Sequence, residues 1–312
     1  MHFKKNMINQ HTFNDIAAQI SAATHEKFDI IATQSVAGGD INSAFMLQGM
    51  QKNYFVKLNR ANLIDMFAAE FEGLNAIANT KTIQTPRPIL YGQAEKSSFL
   101  VLEYIEFTRM TPTAQRTLGE QLANLHQQKQ PYFGWIRDNT IGSTPQINTH
   151  AYVWATFWRE NRLGFQLKRA AENGYNGKLQ HLGEKLCARV DDFFTDYTPT
   201  PSLLHGDLWG GNIACDAQQC PIIFDPACYF GDRETDLALT ELFGGFGADF
   251  YSAYNSVWKL DAGYQTRKTL YNLYHILNHV NLFGTGYERQ AQQMMEQLLQ
   301  LCGHANLVQS QL

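Results

Sequence analysis

The chain has no run of about 18 or more apolar residues, so no stretch reads as a membrane-spanning helix. Met1 to Gln10 carries two lysines but no apolar core, which argues against a secretory signal. Cysteine is scarce: five in 312 residues, an odd number, none before Cys187. Cys187, Cys215, Cys220, Cys228 and Cys302 lack paired C-x-x-C spacing, which points to reduced thiols in a cytoplasmic setting rather than a disulfide framework. Positive charge is not in excess either. A net charge of −4 and a pI near 6.2 argue against nucleic acid as the main partner, and nothing suggests a membrane surface. Internal repeats and low-complexity linkers are absent as well. None of these absences excludes a nucleotide, whose pocket needs only a few local cations and a metal ion.

What is present reads as an α+β chain in two lobes. Residues 1–104 form a small β-rich lobe: Ile30 to Ser35, Ala44 to Gln48 and Tyr54 to Leu58 read as strands. Ala37-Gly38-Gly39-Asp40 breaks the first strand from the second. A helix near Ile64 to Ala78 follows, with Phe67, Phe71, Leu74 and Ala78 on one stripe, and Thr85-Pro86-Arg87-Pro88 stops it. Ser98 to Tyr104 reads as a buried strand leading out. Residues 105–312 are mostly helical, with stripes such as Leu118, Leu122, Leu125 and Leu179, Leu182, Leu186, Val190. Two short apolar segments, Asn212 to Cys215 and Pro221 to Phe224, interrupt them. A small β lobe and a larger helical lobe are the layout of a bilobal, protein-kinase-like fold.

The chemistry concentrates in His205-Gly206-Asp207-Leu208-Trp209-Gly210-Gly211-Asn212, followed by Ile222-Ile223-Phe224-Asp225. Asp207 and Asn212 have the H-x-D-x-x-x-x-N spacing of a phosphotransferase catalytic loop. That length lets one carboxylate face an attacking hydroxyl while an amide oxygen turns toward a metal. Asp225 ends an apolar strand, where a carboxylate is costly unless a cation compensates it. Mg²⁺ prefers hard oxygen ligands, and one or two protein groups plus phosphate oxygens suffice. Taken singly, His205 and Asp207 could be turn residues and Asp225 a helix cap before Pro226. The joint pattern is not explained that way.

The first lobe supplies the rest of an ATP site. Lys57 sits in the alternating strand Tyr54 to Leu58, as the phosphate-pairing lysine of kinases does. Of the two glutamates on the next helix, Glu70 lies about 60° from the centre of the apolar stripe and Glu72 about 140°. Glu70 is therefore the expected partner, and Glu72 reads as solvated. Gly38 and Gly39 lie ahead of Lys57 and could lay backbone N–H groups over phosphates. Glu103, Tyr104 and Ile105 fall at the join between lobes, where backbone could bond an adenine edge.

Other patterns resolve as structure. His275 and His279 are four apart, but Ile276 breaks the H-E-x-x-H pattern. The aromatic residues Phe157-Trp158 and Phe243 to Tyr254 read as core. Trp209 offers a flat face for a sugar ring, with packing of the catalytic loop as the alternative. Asp232 and Glu234 follow the metal strand closely enough to meet a cationic amine, with helix capping as the alternative for Asp232. Asp236 reads as a brace for the catalytic loop.

The stretch LLHGDLWGGNIACDAQQCPIIFDPACYFGDRETDLA resembles the fructosamine kinase (ketosamine-3-kinase) family, within the wider aminoglycoside phosphotransferase and choline kinase group. SVAGGDINSAF, FVKLN, EFEGLNAIA, FLVLEYI, LGEQLANLH, DNTIGSTPQ, NRLGFQ and LYHILNHVNLFGTGY match in order, from about Ser35 to Tyr287. The resemblance implies ATP-dependent phosphorylation of O3 on a free or protein-bound ketosamine, giving less stable products and so linking the family to deglycation. It implies Asp207 as base, Asn212 and Asp225 as Mg²⁺ ligands, Lys57 with Glu70 as the nucleotide pair, and Glu103 to Ile105 as the hinge. Some members carry a Gly-rich-loop cysteine tied to redox-controlled dimers; with no cysteine before Cys187, that regulation is expected to be absent.

A protein kinase is disfavoured, because Pro226-Ala227 follows Asp225 instead of Phe-Gly and no A-P-E sequence follows. A catalytically silent nucleotide-binding regulator would be expected to have lost Asp207, Asn212, Asp225 or Lys57, and all four are present. An aminoglycoside or choline kinase stays open, as does the oligomeric state.

Overall fold

The structure is a computed structural model that describes residues 10–36 and 41–309, and it divides into two compact units. Met1–Ala114 with Ile213–Pro226 form the first, and Gln115–Asn212 with Ala227–Leu312 the second. Gly38 and Gly39 lie outside the described residues.

The first unit opens with α1 (Gln10–Thr24), whose Phe13, Ile16, Ala17 and Ile20 repeat at helical spacing and are buried. Strands β1 (Ala32–Val36), β2 (Ser43–Gln48) and β3 (Asn53–Arg60) follow, then α2 (Ile64–Thr80), β4 (Pro88–Ala94) and β5 (Ser97–Glu103). The strands make one antiparallel sheet in the order β1-β2-β3-β5-β4. Side chains alternate across it. Tyr54, Val56, Leu58, Phe99 and Val101 pack with α1, while Leu100 and Leu102 pack with Phe67 and Leu74 of α2. Lys57 shares the α2 side with Phe55, and this parity sets its partner. α2 ends at Thr80 on Lys81, a left-handed C-cap at φ +56° whose N–H donates to Ala78 O, ahead of the stop expected at Thr85 to Pro88; Pro88 instead opens β4, where a missing N–H is tolerated at a strand's first residue.

The chain leaves this unit through α3 (Pro112–His126). In the second unit, β6 (Asn139–Ile141) and β7 (Thr144–Gln146) form a hairpin before α4 (Trp154–Phe157), a π-helical stretch (Trp158–Gly164), α5 (Phe165–Glu172) and α6 (Lys178–Cys187). Strand β8 (Ser202–Leu204) leads into the His205 loop. Strands β9 (Ile213–Cys215) and β10 (Pro221–Ile223) then pair as a hairpin belonging to the first unit. Thr108 and Cys215 exchange backbone bonds at 2.8 and 3.3 Å, the Ile223 N–H donates to Gln84 O at 3.1 Å, and Phe107 stacks on Phe224. These ties place residues 105–114 and 213–226 with the first unit, a different division from a boundary after residue 104. Strand β11 (Tyr229–Gly231) pairs with β8, and α7 (Glu234–Leu242), α8 (Ala248–Val257), α9 (Tyr264–Phe283) and α10 (Glu288–Gln309) complete the helical unit. Among the described residues no helix is long and apolar enough to cross a membrane.

Candidate active site

Lys57 is buried on β3, and its Nζ donates to Glu70 Oε1 at 2.7 Å and contacts Asp225 Oδ1. One ammonium thus sits between two carboxylates. Burial works to lower the Lys57 pKa, but attraction from Asp225 and Glu70 outweighs it and holds the side chain charged, above the ordinary lysine range. Glu70 shares that cation. Burial, opposed by Lys57 and reinforced by Asp225, leaves its carboxyl pushed up to about 7. Glu72, expected on the solvated face, is half-buried.

Asp225 itself retains 42% side-chain exposure and adopts φ +57°, a left-handed conformation that non-glycine residues seldom take. Residues held in such regions concentrate at functional sites. At the end of β5 the Glu103 N–H donates to Arg87 O at 2.9 Å and the Tyr104 N–H to Asn53 O at 3.3 Å. The Ile105 N–H has no partner among the described residues.

In the second unit the loop from His205 to Asn212 hangs on one buried carboxylate. Asp236, near the start of α7, accepts the His205 N–H on Oδ2 and the Gly206 N–H on Oδ1, both at 2.8 Å, and His126 Nε2 donates at 3.1 Å. Burial opposes the charge, yet the His126 bond, the neighbouring histidines and the loop N–H hold Asp236 below the usual carboxylate range. The expected brace is present. Gly206 has φ +82°, and a Cβ there would lie 2.1 Å from Ala227 O, so no other residue fits. The Asp207 N–H donates to His205 Nδ1 at 3.2 Å, which leaves the imidazole proton on Nε2 in the neutral ring. Asn212 donates Nδ2 to Asp207 O at 2.8 Å and to Asp207 Oδ2 at 3.3 Å. With the nitrogen so committed, Oδ1 is the atom Asn212 can offer a metal.

Asp236→Asn should cost about 2–4 kcal/mol of stability, because an amide cannot accept all three donors and presents N–H to N–H. It should also lower kcat at least about 10-fold by loosening Asp207. Denaturant titration and steady-state turnover check both; an unchanged midpoint would refute the brace.

A polar layer that sequence reading missed fixes the far side of this loop. The Ala227 N–H donates to His205 O at 2.8 Å, and Gln146 Nε2 donates to Ala227 O at 3.1 Å. Asn139 Nδ2 donates to Cys228 O at 2.8 Å and Asn139 Oδ1 accepts from Gln146 Nε2, while Tyr274 OH donates to Gln146 Oε1. The buried Arg162 reaches Asn148 Oδ1 at 2.8 Å and lies over the Tyr229 ring. The signal for Asn139 and Gln146 lay within DNTIGSTPQ, as two polar residues paired at the open end of a short hairpin.

The acidic residues offered for an amine are sealed inside. Asp232 Oδ1 accepts from Tyr197 OH and the Glu234 N–H, and Oδ2 from Tyr271 OH. Glu234 is held by Arg267 through two bonds at 2.7 and 3.0 Å. Both residues are completely buried, so neither carboxylate is presented to a substrate. Trp209 does stand out, 41% exposed and lying over Gly211. Phe243, expected in the core, is 44% exposed, whereas Phe157 and Trp158 are buried as expected.

Mg²⁺ and ATP can be tested against these donors. Among the described residues no cluster of three His, Cys, Asp or Glu could hold a metal. Asn212 immediately precedes β9 and Asp225 follows β10, and each carries an oxygen of the hard kind that Mg²⁺ takes from one or two protein groups beside phosphate oxygens.

A five-stranded antiparallel sheet with a buried lysine–glutamate pair, a helical unit and a braced Asp-x-x-x-x-Asn loop define a phosphotransferase of the protein-kinase-like class. An ADP-bound aminoglycoside phosphotransferase shares this fold at a TM-score of 0.60 and 15% identity, with 94% of this chain and 97% of that one aligned. The chain belongs to the fructosamine kinase family, whose model matches residues 12–301. It is 49% identical to a probable ketoamine kinase of Synechocystis sp. over 92% of this chain and 96% of that protein. It is 42% identical to the chloroplastic protein-ribulosamine 3-kinase of Arabidopsis thaliana, covering 86% and 82%. A solved structure from Haemophilus somnus, provisionally named a fructosamine-3-kinase, superposes at a TM-score of 0.85 with 30% identity, covering 93% and 98%. The acceptor in this family is a hydroxyl group.

Proposed function

We propose that the protein transfers the γ-phosphoryl group of ATP to O3 of ketosamines, with Mg²⁺ held by Asn212 and Asp225. The observation that carries this reading is the Asp207 loop, fixed through His205 and Gly206 on Asp236. The acceptor oxygen attacks the γ-phosphorus, the bond to the bridging oxygen breaks, ADP leaves, and the hydroxyl proton passes to the Asp207 carboxylate. Because the transition state is loose, Asp207 mainly orients the hydroxyl and takes its proton late. Lys57, kept charged and aimed by Glu70, supplies a cation for the nucleotide phosphates. The Ile105 N–H supplies a donor for the adenine edge. When bound, Mg²⁺ offsets charge on the transferring phosphoryl group. Trp209 gives the sugar ring an apolar face. All five cysteines are free, in keeping with action in the cytoplasm.

The test is ATP consumption with fructosyl- and ribulosyl-lysine, free ketose, choline and aminoglycosides, with product NMR to locate the phosphate. The ketosamines should have the highest kcat/KM and carry phosphate on O3. Phosphate elsewhere, or a preference for choline or an aminoglycoside, overturns the assignment.

A further inference from the structure

Trp209 is the first member of a continuous row of rings. It meets Phe243 edge-on at 6.4 Å, Phe243 meets His279 at 5.2 Å, and His279 meets Phe283 at 5.2 Å and Tyr287 at 5.0 Å. The row is open to solvent: Trp209, Phe243 and Phe283 are 41%, 44% and 61% exposed. It is also built rather than incidental. Gly244 and Gly245 follow Phe243 with φ +74° and +105°, and a Cβ on Gly245 would lie 3.0 Å from Gly210 Cα. Glycine on both sides of that approach seats the Phe243 turn directly on the catalytic loop. His279 Nδ1 donates to His275 O at 2.7 Å, which fixes its ring.

A ketosamine carries a secondary ammonium next to its sugar, and the two acids closest in sequence are sealed by Tyr197, Tyr271 and Arg267. We infer that the row from Phe243 to Phe283 is the subsite for the amine side of the acceptor, receiving its ammonium group by cation–π attraction and its alkyl arm by apolar contact. The inference rests on the ketosamine reading. An acceptor whose hydroxyl lies on Asp207 has its sugar over Trp209, and its nitrogen substituent then runs along the rings. Aromatic faces suit this task because they attract a cation without the desolvation cost of a buried carboxylate.

The experiment compares Nα-blocked fructosyl-lysine with its N-acylated analogue, which keeps O3 but has no charge at the linkage nitrogen. Wild type, Phe243→Leu, Phe283→Leu and Phe243→Tyr are measured with both. Each leucine variant should raise KM for the charged compound about 5- to 30-fold, with kcat and the KM for ATP within about twofold of wild type. The neutral analogue should be poorer in wild type and insensitive to the leucine substitutions, and Phe243→Tyr should restore binding of the charged one. Equal losses for both compounds, no loss, or failure of tyrosine to rescue overturns the subsite while leaving O3 phosphorylation intact. If wild type phosphorylates neither compound, the ketosamine reading falls and this subsite falls with it.

Discussion

Asp207→Asn should lower kcat by about 10²-fold or more while nucleotide affinity stays near wild type. The amide keeps the size of the carboxylate but cannot collect the acceptor proton. The loop itself should hold its shape, because its anchors are the His205 and Gly206 backbone N–H groups on Asp236, and neither involves the Asp207 side chain. Asn212 still has the Asp207 carbonyl at 2.8 Å. Loss of turnover without loss of stability therefore separates this variant from Asp236→Asn, which should lose both. Steady-state kinetics, nucleotide titration and a denaturation midpoint make the comparison, and turnover within a few-fold of wild type would remove Asp207 from the role of base.

How far this site was legible depends on the range of the interactions that build it. Lys57 and Glu70 are 13 residues apart, and two local periodicities decide their meeting: the alternation of β3 turns Lys57 to the α2 side, and the turn of α2 brings Glu70 inward. The spacing of Asp207 and Asn212 is equally local. Asp232 and Glu234 failed because proximity along the chain says nothing of direction. Tyr197, Tyr271 and Arg267, 33 to 39 residues away, claim those carboxylates. Phe243 was misread for a related reason: an aromatic-rich segment usually packs inward, yet the Gly244-Gly245 turn holds this ring outside. Two misses were avoidable. The stripe Phe13, Ile16, Ala17, Ile20 has the spacing of a helix, and Ile89 to Tyr91 after Pro88 carries the β-branched and aromatic composition of a strand. The assignment of the β9–β10 hairpin to the first unit rests on pairing across more than 100 residues, which no window of sequence displays.

Asp225→Ala should remove Mg²⁺-dependent turnover, by about 10³-fold or more, since a metal that offsets charge on the transferring phosphoryl is worth several kcal/mol. The fold should tolerate the change. Lys57 keeps Glu70 at 2.7 Å, and the lost contact involves a carboxylate that is 42% exposed, so the lost ion pair itself should cost no more than about 1 kcal/mol. The left-handed backbone at φ +57° adds a cost for alanine, because aspartate and asparagine tolerate that region better. Asp225→Asn therefore serves as the second variant, keeping the backbone preference and one oxygen while removing the charge. Thermal denaturation supplies a readout independent of turnover. A ligand at about 100 times its Kd stabilises by about 2.7 kcal/mol, so wild type should gain more from ATP with Mg²⁺ than from ATP alone. Both variants should retain the ATP increment, and Asp225→Ala should lose the Mg²⁺ increment entirely. An active alanine variant, or a wild-type protein whose stabilisation by ATP is the same with and without Mg²⁺, would take the metal away from Asp225.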